Sequence, residues 1–434
     1  MGKQYQTRDA EASMAGLVVP DEVTVALAEI AKSAKEGLLA LAVGAGLVMG
    51  TLMEESVAAL AGPKGKHNPD RTAVRHGHEQ GSVTLGGRRV AVTRPRVRAT
   101  DGSGELPVAA YQLFSGTELL GRLALERMLG GLSTRRYGLG LEPVGTQVAQ
   151  TAAGTSKSAV SRRFVAMTHT ALAELLAADL SDLDLVALLV DGVHFGEHTC
   201  VVALGIDLDG TKHPLALVEG ATENATLARE LLVGLRERGL DTARPILVVI
   251  DGAKALRRAV LDVFDHPVIA RCQQHKLRNV RDKLPQRLGG PVERRMRAAY
   301  HAASALDAQA QLQALAHELD KTHPGAAASV REGLAETLTV LRLGVPPTLA
   351  RTLHSTNPIE SMISICREHA GNVKRWQDGQ MALRWCAAGM VEAAKQFRRV
   401  NGYLHLPALQ AALEAEVANP VTGSCEAQEE VEAA

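Results

Sequence analysis

The stretch Leu185-Val186-Ala187-Leu188-Leu189-Val190-Asp191-Gly192 decides how this chain is read, because an unbroken apolar run stops there at a carboxylate. A run this short, bounded by Asp-Gly and carrying β-branched residues, fits a buried strand better than a helix. The same grammar returns in Ile246-Leu247-Val248-Val249-Ile250-Asp251-Gly252, with Pro245 in front of it. Each run delivers an Asp at the C-terminal end of an interior strand, and neighbouring strands would bring the two carboxylates together. Two ionised carboxylates about 4 Å apart repel by roughly 4 kcal/mol at an effective dielectric of 20. Such a pair needs a cation or a shared proton, and oxygen-only ligands favour Mg²⁺ or Mn²⁺. The plainer alternative is that each Asp-Gly is only a turn that ends a strand.

With 434 residues and 46% hydrophobic content, the chain has room for about two to four domains and a real core. Lys plus Arg equals Asp plus Glu at 48 each, so net charge selects no partner and only its distribution is informative. Cys200, Cys272, Cys366, Cys386 and Cys425 are scattered and odd in number, which predicts reduced thiols in a cytoplasmic protein, not a disulfide framework. Gly37 to Met53 carries no charge, but it is short for a membrane span and contains four glycines. It reads as a soluble helix, with no membrane partner. Its Gly44-Ala45-Gly46-Leu47-Val48-Met49-Gly50 mimics a dinucleotide loop, but no acid-ended strand follows at the required distance.

Six segments are expected. Residues 1–100 hold a helical region over 21–61, a polar basic loop between Gly62 and Gly81, and a β-hairpin about Gly86-Gly87. Arg88, Arg89, Arg94, Arg96 and Arg98 follow with no acid among them, which predicts either a solvated charged face or a ribbon that contacts phosphates. Residues 101–178 hold helices over about 117–130 and 144–153, then Gly154 to Phe164. There Ser156 can cap a helix that buries Val160 and Phe164 and turns Lys157, Arg162 and Arg163 outward, as a helix-turn-helix requires. Residues 179–275 give the order β-β-β-α-β-α-β of a ribonuclease H-like core, an α/β fold. Residues 276–354 form a helical insertion, 355–412 complete the core, and 413–434 are an acidic, disordered tail.

Two further motifs flank the insertion. Arg271-Cys272-Gln273-Gln274-His275-Lys276-Leu277-Arg278 sets Cys272 and His275 on one helix face, where packing or hydrogen bonding is favoured over zinc because no second Cys/His pair is nearby. It also opens a basic stretch running to Arg297. His354-Ser355-Thr356-Asn357-Pro358-Ile359-Glu360-Ser361 predicts a helix start with Asn357 as N-cap, Pro358 at N1 and Glu360 at N3 of a capping box.

Taken together, Asp191-Gly192-Val193-His194, Asp251-Gly252-Ala253-Lys254, Cys272 to Asn279 and Ser355 to Ser361 resemble the Mutator-type transposases of bacterial insertion sequences, from about Gly62 through Trp376. The resemblance implies a ribonuclease H-like domain with an Asp-Asp-Glu triad interrupted by an all-helical insertion. Asp191, Asp251 and Glu360 match the triad, and Cys272 and His275 match a supporting Cys-x-x-His signature. Ser364 to Gly371 stand where the family usually carries an arginine-rich run. Two Mg²⁺ or Mn²⁺ ions about 3.5–4 Å apart, with Asp191 bridging, would serve phosphodiester cleavage and strand transfer. The implied partners are terminal inverted repeats and target DNA, bound by a homodimer or larger assembly in the nucleoid, with Lys276 and Arg278 joining the basic residues above as DNA contacts. A catalytically silent DNA-binding regulator and a structure-specific nuclease are the alternatives.

Overall fold

Residues 37–66, 70–141, 151–220 and 225–418 are described by a computed structural model. The chain divides into two units, Met1–Met167 and Thr168–Ala434.

In the first unit, α1 (Gly37–Ala61) buries Met49, Leu52, Met53 and Val57 against Val83 and Val97 of a hairpin. The hairpin is β1 (Ala73–Leu85) and β2 (Arg88–Ala99), with β3 (Glu105–Leu106) at the edge of β2. Gly86 and Gly87 both take positive φ, 53° and 73°, as a tight primed turn demands. β1 begins well inside the polar segment expected to be loop. Its outer half lacks apolar alternation and is held by charge instead, with Glu79 directly opposite Arg94 in the ladder. Short helices α2 (Ala109–Ser115) and α3 (Glu118–Leu129) follow. No helix-turn-helix is resolved among the described residues; the helix expected after Ser156 is present as α4 (Lys157–Ala177), where Ser156 Oγ accepts from the Ala159 N–H (3.3 Å) and Val160 and Phe164 are buried. Residues 144–150 of the expected first helix lie outside the described residues, and Ala153 pairs with Arg89 as a β-bridge instead of ending a helix.

The second unit is built on a five-stranded mixed sheet in the order β6-β5-β4-β7-β8. β4 (Leu185–Phe195), β5 (His198–Asp207) and β6 (Lys212–Gly220) are antiparallel, while β7 (Ile246–Ile250) and β8 (Pro267–Arg271) run parallel to β4. Between them α5 (Ala225–Glu237) and α6 (Lys254–Val263) lay Leu231, Leu232, Leu235 and Val260 on Leu188, Val190, Val248 and Ile250. This element order and mixed pairing agree with the ribonuclease H-like reading. One boundary differs. β4 does not stop at Asp191 but continues to Phe195, because β5 still supplies a partner on that side.

Helices α7 (Gln273–Arg281), α8 (Gln286–Tyr300), α9 (Ala305–Asp320), α10 (Pro324–Arg331), the single turns α11 (Leu334–Thr337) and α12 (Thr339–Arg342), and α13 (Pro347–Leu353) follow β8. Most of them share a core of their own, around Leu277, Val292, Met296, Leu312, Leu315 and Val330. The chain then returns to the sheet with α14 (Asn357–His369), α15 (Gly379–Ala394) and α16 (Leu406–Ala418), which pack on β4 to β7. α16 runs beyond residue 412 into the segment expected to be tail, because Leu406, Leu409 and Leu413 recur at helical spacing and are fully buried. Residues 419–434 of that tail lie outside the described residues. No helix among the described residues is long and apolar enough to cross a membrane.

Candidate active site

Neighbouring strands, β4 and β7, lead to Asp191 and Asp251. The parallel pairing of β4 with β7 runs from Ala187↔Leu247 to Leu189↔Val249, two residues short of Asp191 on β4 and of Asp251 just past the end of β7. Residues two apart on a strand share a face. Asp191 therefore lies on the face of Leu189, opposite Leu188 and Val190 under α5 and α6, and the charge of Asp251 acts on it. The pairing ends where the acids begin, at the carboxyl end of parallel strands, the usual place for a binding crevice in open α/β sheets. Asp191 is buried and takes one hydrogen bond from the Gly192 N–H (2.8 Å). Asp251 accepts from the Ala253 N–H (2.8 Å), and the turn is closed by Gly252 at φ +104°, a conformation L side chains avoid. Burial pushes the Asp191 carboxyl up to about 6; the Gly192 N–H and His275 oppose this, while the charges of Asp251 and Glu360 add to it.

Glu360, in the first turn of α14, is near enough for its charge to act on Asp191. The helix start differs from the expected capping box: Thr356 is the N-cap but its side chain makes no capping bond, and Asn357 is already helical, its N–H donating to Ser355 Oγ (3.4 Å). The Glu360 carboxylate takes its hydrogen bond from the Thr356 hydroxyl (2.7 Å), not from the Asn357 N–H. Cys272 is fully buried as the N-cap of α7, and its Sγ accepts from the N–H groups of His275 (3.5 Å) and Thr356 (3.4 Å). His275 Nδ1 lies 3.9 Å from the Glu360 carboxylate. Burial raises the Cys272 thiol, but the bonds from His275 and Thr356 outweigh it and bring it below its ordinary value. Hydrogen bonding to Cys272 lifts His275 to about 9 against the burial that lowers it, with Asp191 and Asp251 adding to the rise. One donor atom each from Cys272, His275 and Glu360 fall within 4.8 Å of one another, a mixed sulfur, nitrogen and oxygen set and the one group of three such ligands found among the described residues. Thr356, which joins these groups, is the residue the sequence reading passed over; only its position before the helix marks it.

The basic residues divide sharply. Lys276 is buried and its ammonium donates to the carbonyls of Ser329 (2.8 Å) and Glu332 (2.6 Å), so it is removed from the expected DNA contacts. Burial lowers it to about 8, against the raising charge of Glu332. Arg88 is buried, and Arg89 spends its guanidinium on Ser82, Thr84 and the Ser115 carbonyl. Arg94 pairs with Glu79 (2.8 Å) and Arg96 with Glu105 (2.7 Å), so the hairpin is not the uncompensated positive ribbon that its second strand suggests. Arg163 turns back onto the Gly154 carbonyl. Arg98, Lys157, Arg162 and Arg278 face solvent.

The buried acid has a consequence for metal-free protein. A carboxyl whose folded pKa is raised favours the folded state while protonated and loses that contribution as pH climbs through about 6. In chelator, Asp191→Asn is expected to be more stable than wild type at pH 8 by on the order of 2–3 kcal/mol and equal to it near pH 4. Urea unfolding across this range measures it; a difference that does not change with pH would contradict the burial argument.

The profile described as Transposase, Mutator family, matches residues 20–400. The chain is 27% identical over 374 residues to the transposase for insertion sequence element ISRM5 of Rhizobium meliloti (strain 1021), covering 84% of this chain and 91% of that protein. It is 31% identical over 287 residues to the transposase for insertion sequence element IS6120 of Mycolicibacterium smegmatis, covering 65% of this chain and 86% of that one. With the family match running over residues 20–400, the chain belongs to the Mutator family of transposases, a family of DNA-acting enzymes.

Proposed function

We propose that this protein binds the terminal inverted repeats of its own element and catalyses DNA strand cleavage and strand transfer at Asp191, Asp251 and Glu360, with Mg²⁺ or Mn²⁺, two ions in the full site. The observation that supports the reading is that the charges of both Asp251 and Glu360 act on the buried Asp191, beside the parallel pairing of β4 with β7. The donor set fits the cation. Three carboxylates offer hard oxygen ligands, and a buried Asp191 beside two other acids gains from a positive charge. A divalent cation bound there polarises the scissile phosphodiester and lowers the pKa of the attacking water or 3′-hydroxyl. The chain's own contribution is position. β4 and the end of β7 hold two of the acids and α14 carries the third, while the His275 cation lies beside them. Joining two element ends requires two such sites, which favours a homodimer or larger assembly on DNA.

Conservative amides separate chemistry from folding. Asp191→Asn, Asp251→Asn and Glu360→Gln keep side-chain shape and delete one ligand charge each. Each is expected to bind terminal-repeat DNA like wild type and to cut none of it in Mg²⁺. If Glu360→Gln cuts at the wild-type rate while both Asp variants are inactive, the third ligand is not Glu360. If all three cut normally, the reading as a whole is wrong.

For DNA contact we assign the solvent-facing Arg98, Lys157, Arg162 and Arg278. Arg278→Ala should weaken binding to repeat and random DNA alike and reduce the slope of log K against log salt by about 1. Lys276→Met, two positions away but inside the core, should leave that slope unchanged and alter thermal stability instead. Equal loss of slope in both variants would return Lys276 to the DNA face.

A further inference from the structure

Thr356 is fully buried at the N-cap of α14, a position where a threonine hydroxyl ordinarily accepts from a helix N–H. Here it does not cap. Its hydroxyl lies 2.7 Å from Glu360 Oε1, short enough for a charge-assisted bond, and 3.4 Å from Cys272 Sγ, the longer of its two contacts with an acceptor. The Thr356 hydroxyl oxygen also lies 3.4 Å from His275 Nδ1, so that Nδ1–H can donate into it while the hydroxyl donates onward to Glu360. The backbone N–H of Thr356 meanwhile donates to Cys272 Sγ at 3.4 Å, which fixes where the hydroxyl stands. Cys272 and His275 belong to the first turn of α7, across the helical insertion from α14 in sequence, and Thr356 is where the two meet.

We propose that Thr356 is the positioning residue of this site: its hydroxyl, oriented by Cys272 and His275, holds the Glu360 carboxylate in a metal-binding rotamer. The inference rests on the reading of Glu360 as a metal ligand and gives the Cys-x-x-His motif its task there, orientation of a ligand through an intermediary. Valine has the shape of threonine without the hydroxyl, and serine has the hydroxyl without the methyl group. Glu360 Oε2 stays free for a cation while Oε1 is held, an outer hydrogen bond of the kind that tunes metal affinity by about 10–100-fold.

The test uses the full chain and Mn²⁺ as probe, with free Mn²⁺ read by electron paramagnetic resonance in the absence of DNA. Thr356→Val should weaken Mn²⁺ binding about tenfold and raise the Mn²⁺ needed for half-maximal cleavage of terminal-repeat DNA by the same factor, with the rate restored at saturating metal. Thr356→Ser should restore both. If Thr356→Val does not fold, Thr356→Ala set against Thr356→Ser makes the same comparison. Wild-type Mn²⁺ affinity in the hydroxyl-free variant would overturn the proposal, as would a serine variant as impaired as the valine one. Glu360→Gln is the control that separates the two claims. If it binds Mn²⁺ like wild type, the ligand assignment fails and takes this proposal with it; if it loses binding while Thr356→Val does not, only the role of Thr356 fails.

Discussion

Burial of a carboxylate at the end of the central strands, with two further acids near it, is the constraint on which the candidate site turns. Asp191 is held on β4, and Asp251 follows directly on β7, which pairs with β4 up to Leu189↔Val249. A slip of one residue in β7 would carry Asp251 to the opposite face, into the apolar layer under α5 and α6. That layer makes the slip costly, since Val248 and Ile250 would leave it. His275, lifted by Cys272 and the acids, supplies part of the compensating charge.

The helical insertion is tied to the same strand ends. Arg271, the last residue of β8, is buried and pairs through Nε with Glu336 at 2.5 Å, while Arg257 of α6 reaches the other oxygen of that carboxylate at 2.6 Å. Thr339 donates to the Ile269 carbonyl (2.8 Å), and Lys276 closes on α10. Breaking one partner of such a buried pair leaves an uncompensated charge, so the insertion is anchored by groups that are costly to separate. The basic run after β8 therefore opens with residues that serve internal attachment, Arg271 and Lys276, before any that face solvent.

That division explains what could and could not be read from residues alone. The sheet was legible because apolar runs such as Leu185 to Val190 and Ile246 to Ile250 encode burial directly, and the glycine pair at Gly86-Gly87 encodes its turn. Charge destiny was not. Arg94 and Glu79 lie fifteen positions apart in sequence and become direct neighbours only when β1 extends further than its polar composition suggests. Lys276 looks like its neighbour Arg278 in a helix of unknown orientation, and only the packing of α10 buries one and exposes the other. The capping box failed for a related reason. Asn357-Pro358-Ile359-Glu360 satisfies the local pattern, but a carboxylate facing a buried hydroxyl and a cationic imidazole has better partners than a backbone N–H. The role of Thr356 depends on α7 and α14 converging, which no local spacing records.

The central claim is that the three carboxylates, not the neighbouring sulfur and nitrogen donors, hold the cation. Anomalous scattering from crystals grown with Mn²⁺ and terminal-repeat DNA tests it most directly. The account predicts density within about 2.0–2.2 Å of carboxylate oxygens of Asp191 and Asp251, with Glu360 as a further ligand. A single site bound by Cys272, His275 and Glu360, with Asp191 and Asp251 empty, would contradict it.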